Sequence, residues 1–359
     1  MMKILLYLMS VLMLVSAVPM VAHASQFREV RYAHALSRAA GVRNPAIAPL
    51  DREIRQANAQ IRDMLDTVHA LRNSNHPEAD VAYGQRLIAI SERNRLQRDR
   101  DRLILSTETS LRSHLANIAG ATLDVELLER NLDIQQQTLE QLQLRHRHGL
   151  ASDQEVREAE HTLELARLNL EMLNLTLQNE RQQLNRLMFQ PLNANIRVAY
   201  EIGNLGAPPE EAQLERFIQQ NTERDHNLLR WQETVGIRRH EWQSQLDNPD
   251  VDNTYTRLQH RLATLERDMA EQQAALHVRN VLAEWDRLVE QQVALEAALA
   301  QAQSDYDNMQ SRLAAGMVTQ LQVDMAALAV ASQEAALVKH GYAFWIASLQ
   351  LNHPYMRIN

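Results

Sequence analysis

The sequence has no cysteine, which excludes disulfides, thiolate chemistry and a lipid-modified N-terminal cysteine. Lysine occurs only at Lys3 and Lys339, so almost all positive charge is arginine. The formal net charge is −8, which argues against nucleic acid, because that partner needs a basic face. Proline is absent between Pro77 and Pro191 and again between Pro249 and Pro354. Since proline breaks helix interiors, each of these spans of more than a hundred residues has room for long helices. Aromatics are few, poor material for sheets. There is no Gly-rich phosphate loop, no nucleophile elbow and no His-Glu-x-x-His, so no enzyme and no cofactor are expected.

The chain does have a signal-peptide pattern. Lys3 precedes an apolar run that ends at Ala22-His23-Ala24, before Ser25. This predicts removal of residues 1–24 and export of the remaining 335 (359 − 24), with an uncleaved membrane anchor as the alternative. No other apolar run is expected to span a bilayer.

Ala, Leu, Gln, Glu and Arg fill the proline-free spans, and their apolar residues recur every seven positions. Val156, Leu163, Leu170, Leu177 and Leu184 form one such series. Ala159, Ala166, Leu173 and Leu187 accompany it, with Glu180 as the one break. Upstream, Ile104, Leu111, Ile118, Val125, Leu132 and Leu139 repeat the step. In the second half the series are Val281, Leu288, Leu295, Ala302, Met309 and Val323, Val330, Leu337, Phe344, Leu351. Trp285, Leu299, Tyr306 and Leu313 stand beside the first of these. Sustained heptads are coiled-coil seams and need partner helices.

The two halves read as copies of one unit. An offset of 167 places Gly149 on Gly316, Leu150 on Met317, Ser152 on Thr319, Val156 on Val323 and Ala159 on Ala326. Residues 25–200 are the expected first repeat, with its hairpin tip at 145–155; residues 201–359 are the second, with its tip at 312–322. Gly149 and Gly316 suit a left-handed helix end, and Ser152-x-x-Glu155 and Thr319-x-x-Gln322 read as capping boxes. Such short turns predict antiparallel arms. Leu150 and Met317 at the tips either staple onto a helix end or meet another protein. The long arms, Tyr83–Arg147 and Thr254–Leu313, outrun the returning arms Ser152–Leu187 and Thr319–Leu351. Pro49–Leu71 and Glu210–Leu246 have the length to cover the remainder.

This architecture, with "HGLAS…V" and "AGMVT…V" at the tips, resembles the TolC-like outer-membrane efflux family. The resemblance implies a duplicated chain that trimerises into a periplasmic helical tunnel continued by a β-barrel. It also implies tips that dock a periplasmic adaptor protein, and through it an inner-membrane pump. Gly149, Leu150, Ser152, Gly316, Met317 and Thr319 match the docking motif, but His146 and Leu313 stand where its Tyr would be. The family's barrel strands would fall at Arg72–Gln85 and Leu246–Thr256, both too short for two strands of about 9–11 residues each. Asn195–Leu205 is the best strand candidate, in a region that the resemblance assigns to a belt around the tunnel.

The expected fold is therefore all-α: two tandem coiled-coil hairpins, a TolC-like α-barrel protomer with little or no β-barrel. The expected function is a trimeric conduit in a tripartite efflux or secretion system of the cell envelope, periplasmic or outer-membrane associated. A non-conducting periplasmic scaffold or spacer is the alternative. His146 and His148 could be metal ligands but read better as polar tip residues. Glu180 reads as a solvated edge residue or, alternatively, a lumen residue. Trp231, Trp242, Trp285 and Trp345 read as core or subunit contacts.

Overall fold

The computed structural model describes residues 28–30, 44–194, 196–198, 208–246 and 252–357. The expected signal peptide lies outside them, as does most of Asn195–Leu205. Seven α-helices stand in the described residues: α1 Ile47–Asn73, α2 Ala79–Arg147, α3 Asp153–Leu187, α4 Leu214–Glu223, α5 His226–Leu246, α6 Thr254–Ala314 and α7 Gln320–Asn352. Two three-residue strands, β1 Arg28–Val30 and β2 Ile196–Val198, pair in parallel, Arg28 opposite Ile196. They are the only strands among the described residues, and no barrel strand is among them. The fold is the expected pair of long antiparallel hairpins, α2–α3 and α6–α7.

The predicted covering segments are helical too. α1 occupies Pro49–Leu71, whereas the second cover is split in two. The split falls at Asp225, whose Oδ1 accepts from the backbone N–H groups of Asn227 (2.9 Å) and Leu228 (3.0 Å) and so starts α5 afresh. α1 and α2 are joined by Ser74–Glu78 alone, and seven residues separate Leu246 from Thr254 (254 − 246 − 1). Neither link has room for a strand pair.

The helices contribute to two compact units. Unit one gathers described residues of Met1–Tyr32, His114–Ile202 and Glu290–Ala343; unit two gathers those of Ala33–Ser113, Gly203–Val289 and Phe344–Asn359. Every position of the predicted heptad series is buried or half-buried, so the seams do find partner helices. Leu163, Ala166, Leu177 and Leu184 are the buried core of α3 in unit one. Lys339 of α7 pairs there with Asp124 of α2.

Unit two is fastened by buried and part-buried polar groups. Arg112 of α2 is 0 % exposed. Its Nη1 donates to Trp345 O of α7 (2.6 Å) and Ser348 Oγ (3.3 Å), and its Nη2 to Glu108 Oε1 (2.8 Å). The guanidinium also lies 4.9 Å from the Trp345 ring centre. Burial pushes its pKa down, while Glu108 draws it up. Glu233 of α5 accepts from Ser91, Asn94 and, twice, Arg98 of α2, at 2.7–3.0 Å. Trp285 and Phe344 pack edge to face, so Trp285 and Trp345 are core residues.

One expectation needs correcting. α7 is long and apolar enough, by length and composition, to cross a membrane. Its alanine-rich stretch escapes a reading that looks for leucine runs, and Asp324, Glu334 and Lys339 interrupt it.

Candidate functional site

The two hairpin tips lie in unit one and share one backbone. Gly149 has φ +71° and Gly316 φ +70°, the left-handed region where only glycine is unstrained. The Gly149 N–H donates to His146 O and the Leu150 N–H to Arg145 O, both at 2.8 Å. The Gly316 N–H donates to Leu313 O and the Met317 N–H to Arg312 O, again both at 2.8 Å. This pair of bonds is the Schellman helix end.

The starts of the returning helices differ. Ser152 and Glu155 form a complete capping box: the Glu155 N–H donates to Ser152 Oγ (3.2 Å), and the Ser152 N–H to Glu155 Oε2 (2.6 Å). These bonds hold the Glu155 carboxyl below its ordinary range. At the second tip only half of the device forms. The Thr319 N–H donates to the Gln322 side chain (3.0 Å), but the Gln322 N–H goes to the Thr319 backbone oxygen (3.1 Å), not to its hydroxyl.

The apolar tip residues are bare. Leu150 is 68 % exposed and Met317 71 %, so neither works as a staple on its helix end. A shallow hollow of about 650 Å³ opens beside Met317. His146 is engaged by its own turn: Nδ1 lies 3.0 Å from Ala151 O and Nε2 3.2 Å from Asp153 Oδ1. Among the described residues no group of three His, Asp or Glu could hold a metal. Glu180 is part-exposed but not free: its Oε2 lies 2.6 Å from His114 Nδ1 across the α2–α3 seam.

In unit one α2 meets α7 at Asp124–Lys339. Arg147 is 23 residues beyond Asp124 (147 − 124), and Gln320 is 19 before Lys339 (339 − 320). At about 1.5 Å per residue, the two turns stand roughly 35 and 29 Å along their helices from that ion pair.

A second set of heptads went unread in the sequence. On α3, Leu165, Leu168, Met172 and Leu175 follow a 3-4-3 spacing and are all exposed. On α6 in unit two, Tyr255, Leu258, Leu262, Leu265 and Met269 do the same, and Leu276 follows seven residues on, also exposed. The signal was in the sequence, in the same period of seven, but the leucines of the covered seam interleave with it.

No family model matches the sequence, and no curated protein does either. Solved structures do match. A membrane protein from Pseudomonas aeruginosa aligns with a TM-score of 0.65 at 15 % identity, over 90 % of this chain and 92 % of its own. CusC, a transmembrane channel-forming protein, aligns at 0.60 and 14 % over 94 % and 95 %. The CmeC outer membrane channel of Campylobacter jejuni aligns at 0.58 and 13 % over 94 % and 91 %. At 13–15 % identity the likeness is one of fold alone: this chain shares the helical architecture of these membrane and channel proteins, with no barrel strand among its described residues.

Proposed function

We propose that the protein is an exported component of a tripartite efflux or secretion system in the cell envelope. Several copies, on the family pattern three, would close into a periplasmic helical conduit, with the tips docking an adaptor protein and, through it, an inner-membrane pump. The halves 25–200 and 201–359 are then descendants of one duplicated unit. No catalytic step belongs to this reading: helices line a path and the tips connect it.

The observation that carries the proposal is the pair of bare heptad stripes on α3 and α6. A 3-4 apolar stripe fits another helix, and these two have none within the described chain. Burying ten half-exposed large side chains is worth on the order of 10 kcal/mol before the costs of association. That is enough to make sister copies the natural cover.

Light scattering on the mature protein, with and without detergent, tests this. An oligomer is expected, and Leu168→Asp with Met172→Asp should yield monomers whose helical circular dichroism is unchanged. A monomer of the unaltered protein in both conditions would remove the conduit. For the tips, Gly149, Leu150, Ser152, Gly316, Met317 and Thr319 form the docking set. Leu150→Asp with Met317→Asp should abolish adaptor pull-down, and undiminished pull-down would refute docking.

The brevity of the α1–α2 and α5–α6 links favours a second reading, a non-conducting scaffold or spacer. Planar-bilayer recording separates the two, since a conduit with its own pore conducts and a spacer does not.

A further inference from the structure

The docking reading of the tips leads to a question about what each tip takes, and the following inference rests on that reading. The offset of 167 equates Arg145 with Arg312, but His146, Arg147 and His148 stand against Leu313, Ala314 and Ala315. The two turns have the same φ and the same pair of 2.8 Å bonds, so the bases are not needed to close the turn. Basic residues at a helix C-terminus also complement its dipole. The second helix end manages with Arg312 alone, which leaves Arg147 and His148 unexplained by that effect.

The charges at the first tip are unevenly used. Arg145 Nη2 donates to Leu150 O (3.3 Å), and His146 is held between Ala151 and Asp153. Glu155 is occupied by the Ser152 backbone and hydroxyl. The side chains of Arg147 and His148 are exposed and make no hydrogen bond or ion pair among the described residues. The crest of the first tip thus presents unengaged basic groups beside bare Leu150, on a chain of net charge −8. The second tip presents Met317 beside a hollow whose lining mixes Met309 and Ala315 with Asn308, Asp305 and Arg312, one acid and one base, so that it carries no net charge.

We propose that the two tips are chemically distinct docking sites: the first takes a partner segment bearing carboxylates next to an apolar side chain, and the second takes an uncharged apolar side chain. Charge matching at an exposed rim sets partner choice and encounter rate, and it weakens with salt.

The test uses the mature full-length protein and two synthetic helical-hairpin peptides. The peptides share a central leucine and differ only in flanking glutamates or lysines. By fluorescence anisotropy at low salt, the glutamate peptide should bind about tenfold tighter, and the gap should close near about 1 M salt. Arg147→Glu with His148→Glu should reverse the preference, whereas Met317→Asp should weaken both peptides and leave their ratio unchanged. Equal binding of the two peptides, still abolished by Leu150→Asp, overturns the charge inference and leaves tip docking standing. Binding indifferent to both Leu150→Asp and Met317→Asp, or no binding of either peptide, overturns the docking reading itself, and this inference with it.

Discussion

Unit one and unit two use the same long helices but are held together by different means. In unit one the cross-helix ties are half-exposed pairs, Asp124 with Lys339 and His114 with Glu180, set among repeating leucines and alanines. In unit two they are buried or part-buried charges with several partners each: Arg112 of α2 bonded to α7, Glu233 of α5 bonded to α2, and Asp225 reached by Arg357 at 3.3 Å. A seam of repeats tolerates the loss of any one rung, because its neighbours carry similar burial. A buried charge does not, because removing its partner leaves it desolvated and alone. Unit two should therefore show the larger single-residue effects, and unit one should hold its register through the heptad as a whole.

The sharpest break of that contrast is Arg112→Ala. It would remove one donor each from Glu108, Trp345 O and Ser348 Oγ and open a cavity in the α2–α7 contact. Losing one partner of such a buried network costs about 3–5 kcal/mol, read as a fall in the denaturation midpoint. Arg112→Met fills the space without the charge and should cost distinctly less. If Arg112→Ala were within about 1 kcal/mol of wild type, the pinning role of Arg112 would be lost.

Next in size is Glu233→Ala, which leaves Arg98, Asn94 and Ser91 of α2 without their shared acceptor. A loss of about 2–3 kcal/mol is expected, measured by urea denaturation. Glu233→Gln should recover part of it.

Acid should loosen unit two in two stages. Burial, with Arg102 or Arg357 nearby, pushes His226 and His277 below the ordinary imidazole value of 6.5. A histidine held neutral in the fold binds fewer protons than when unfolded, so its contribution is intact above pH 6.5 and is lost as pH falls below it. For Glu233, burial alone would raise the carboxyl, but the bonds from Arg98, Asn94 and Ser91 outweigh it and hold it below 4.5. Its contribution is therefore lost in a later stage, as pH falls from 4.5. A midpoint temperature followed from pH 8 downward should show the first decline flattened by His226→Gln with His277→Gln. An unchanged decline would assign it to other groups.

How far the sequence could foretell this follows the same division. Unit one was legible because its information is periodic: Leu163, Leu177 and Leu184 announce a seam without knowledge of any partner. The tips were legible because Gly149 and Gly316 carry a backbone requirement that few residues meet. Arg112 and Glu233 were not legible. Their partners lie 233 and 135 residues away, and no local pattern encodes a pairing of that range. The β1–β2 pairing was hidden for the same reason: Ile196–Val198 falls within the predicted strand region, but its partner Arg28–Val30 has no signal of its own. The bare stripe on α3 was missed because Leu165 and Leu168 alternate with Leu163 and Leu170, and one dense leucine run conceals two faces.

The smallest expected effect is at the break in that seam. Glu180 occupies a heptad position that otherwise takes apolar residues, and His114 meets it at 2.6 Å. Both side chains are about a quarter exposed, so solvent screens the pair and its net worth is within about 1 kcal/mol. Glu180→Leu alone leaves His114 without its partner but restores an apolar rung. The two effects oppose, and the midpoint should move little in either direction. Adding His114→Leu removes the stranded imidazole, so the double variant should be at least as stable as wild type. That result would show that unit one keeps its arms together by leucine burial, and that this polar contact is held for something other than stability. If the double variant fell by more than about 2 kcal/mol, the pair would be a fastener like those of unit two, and the division between the units would fail at this point.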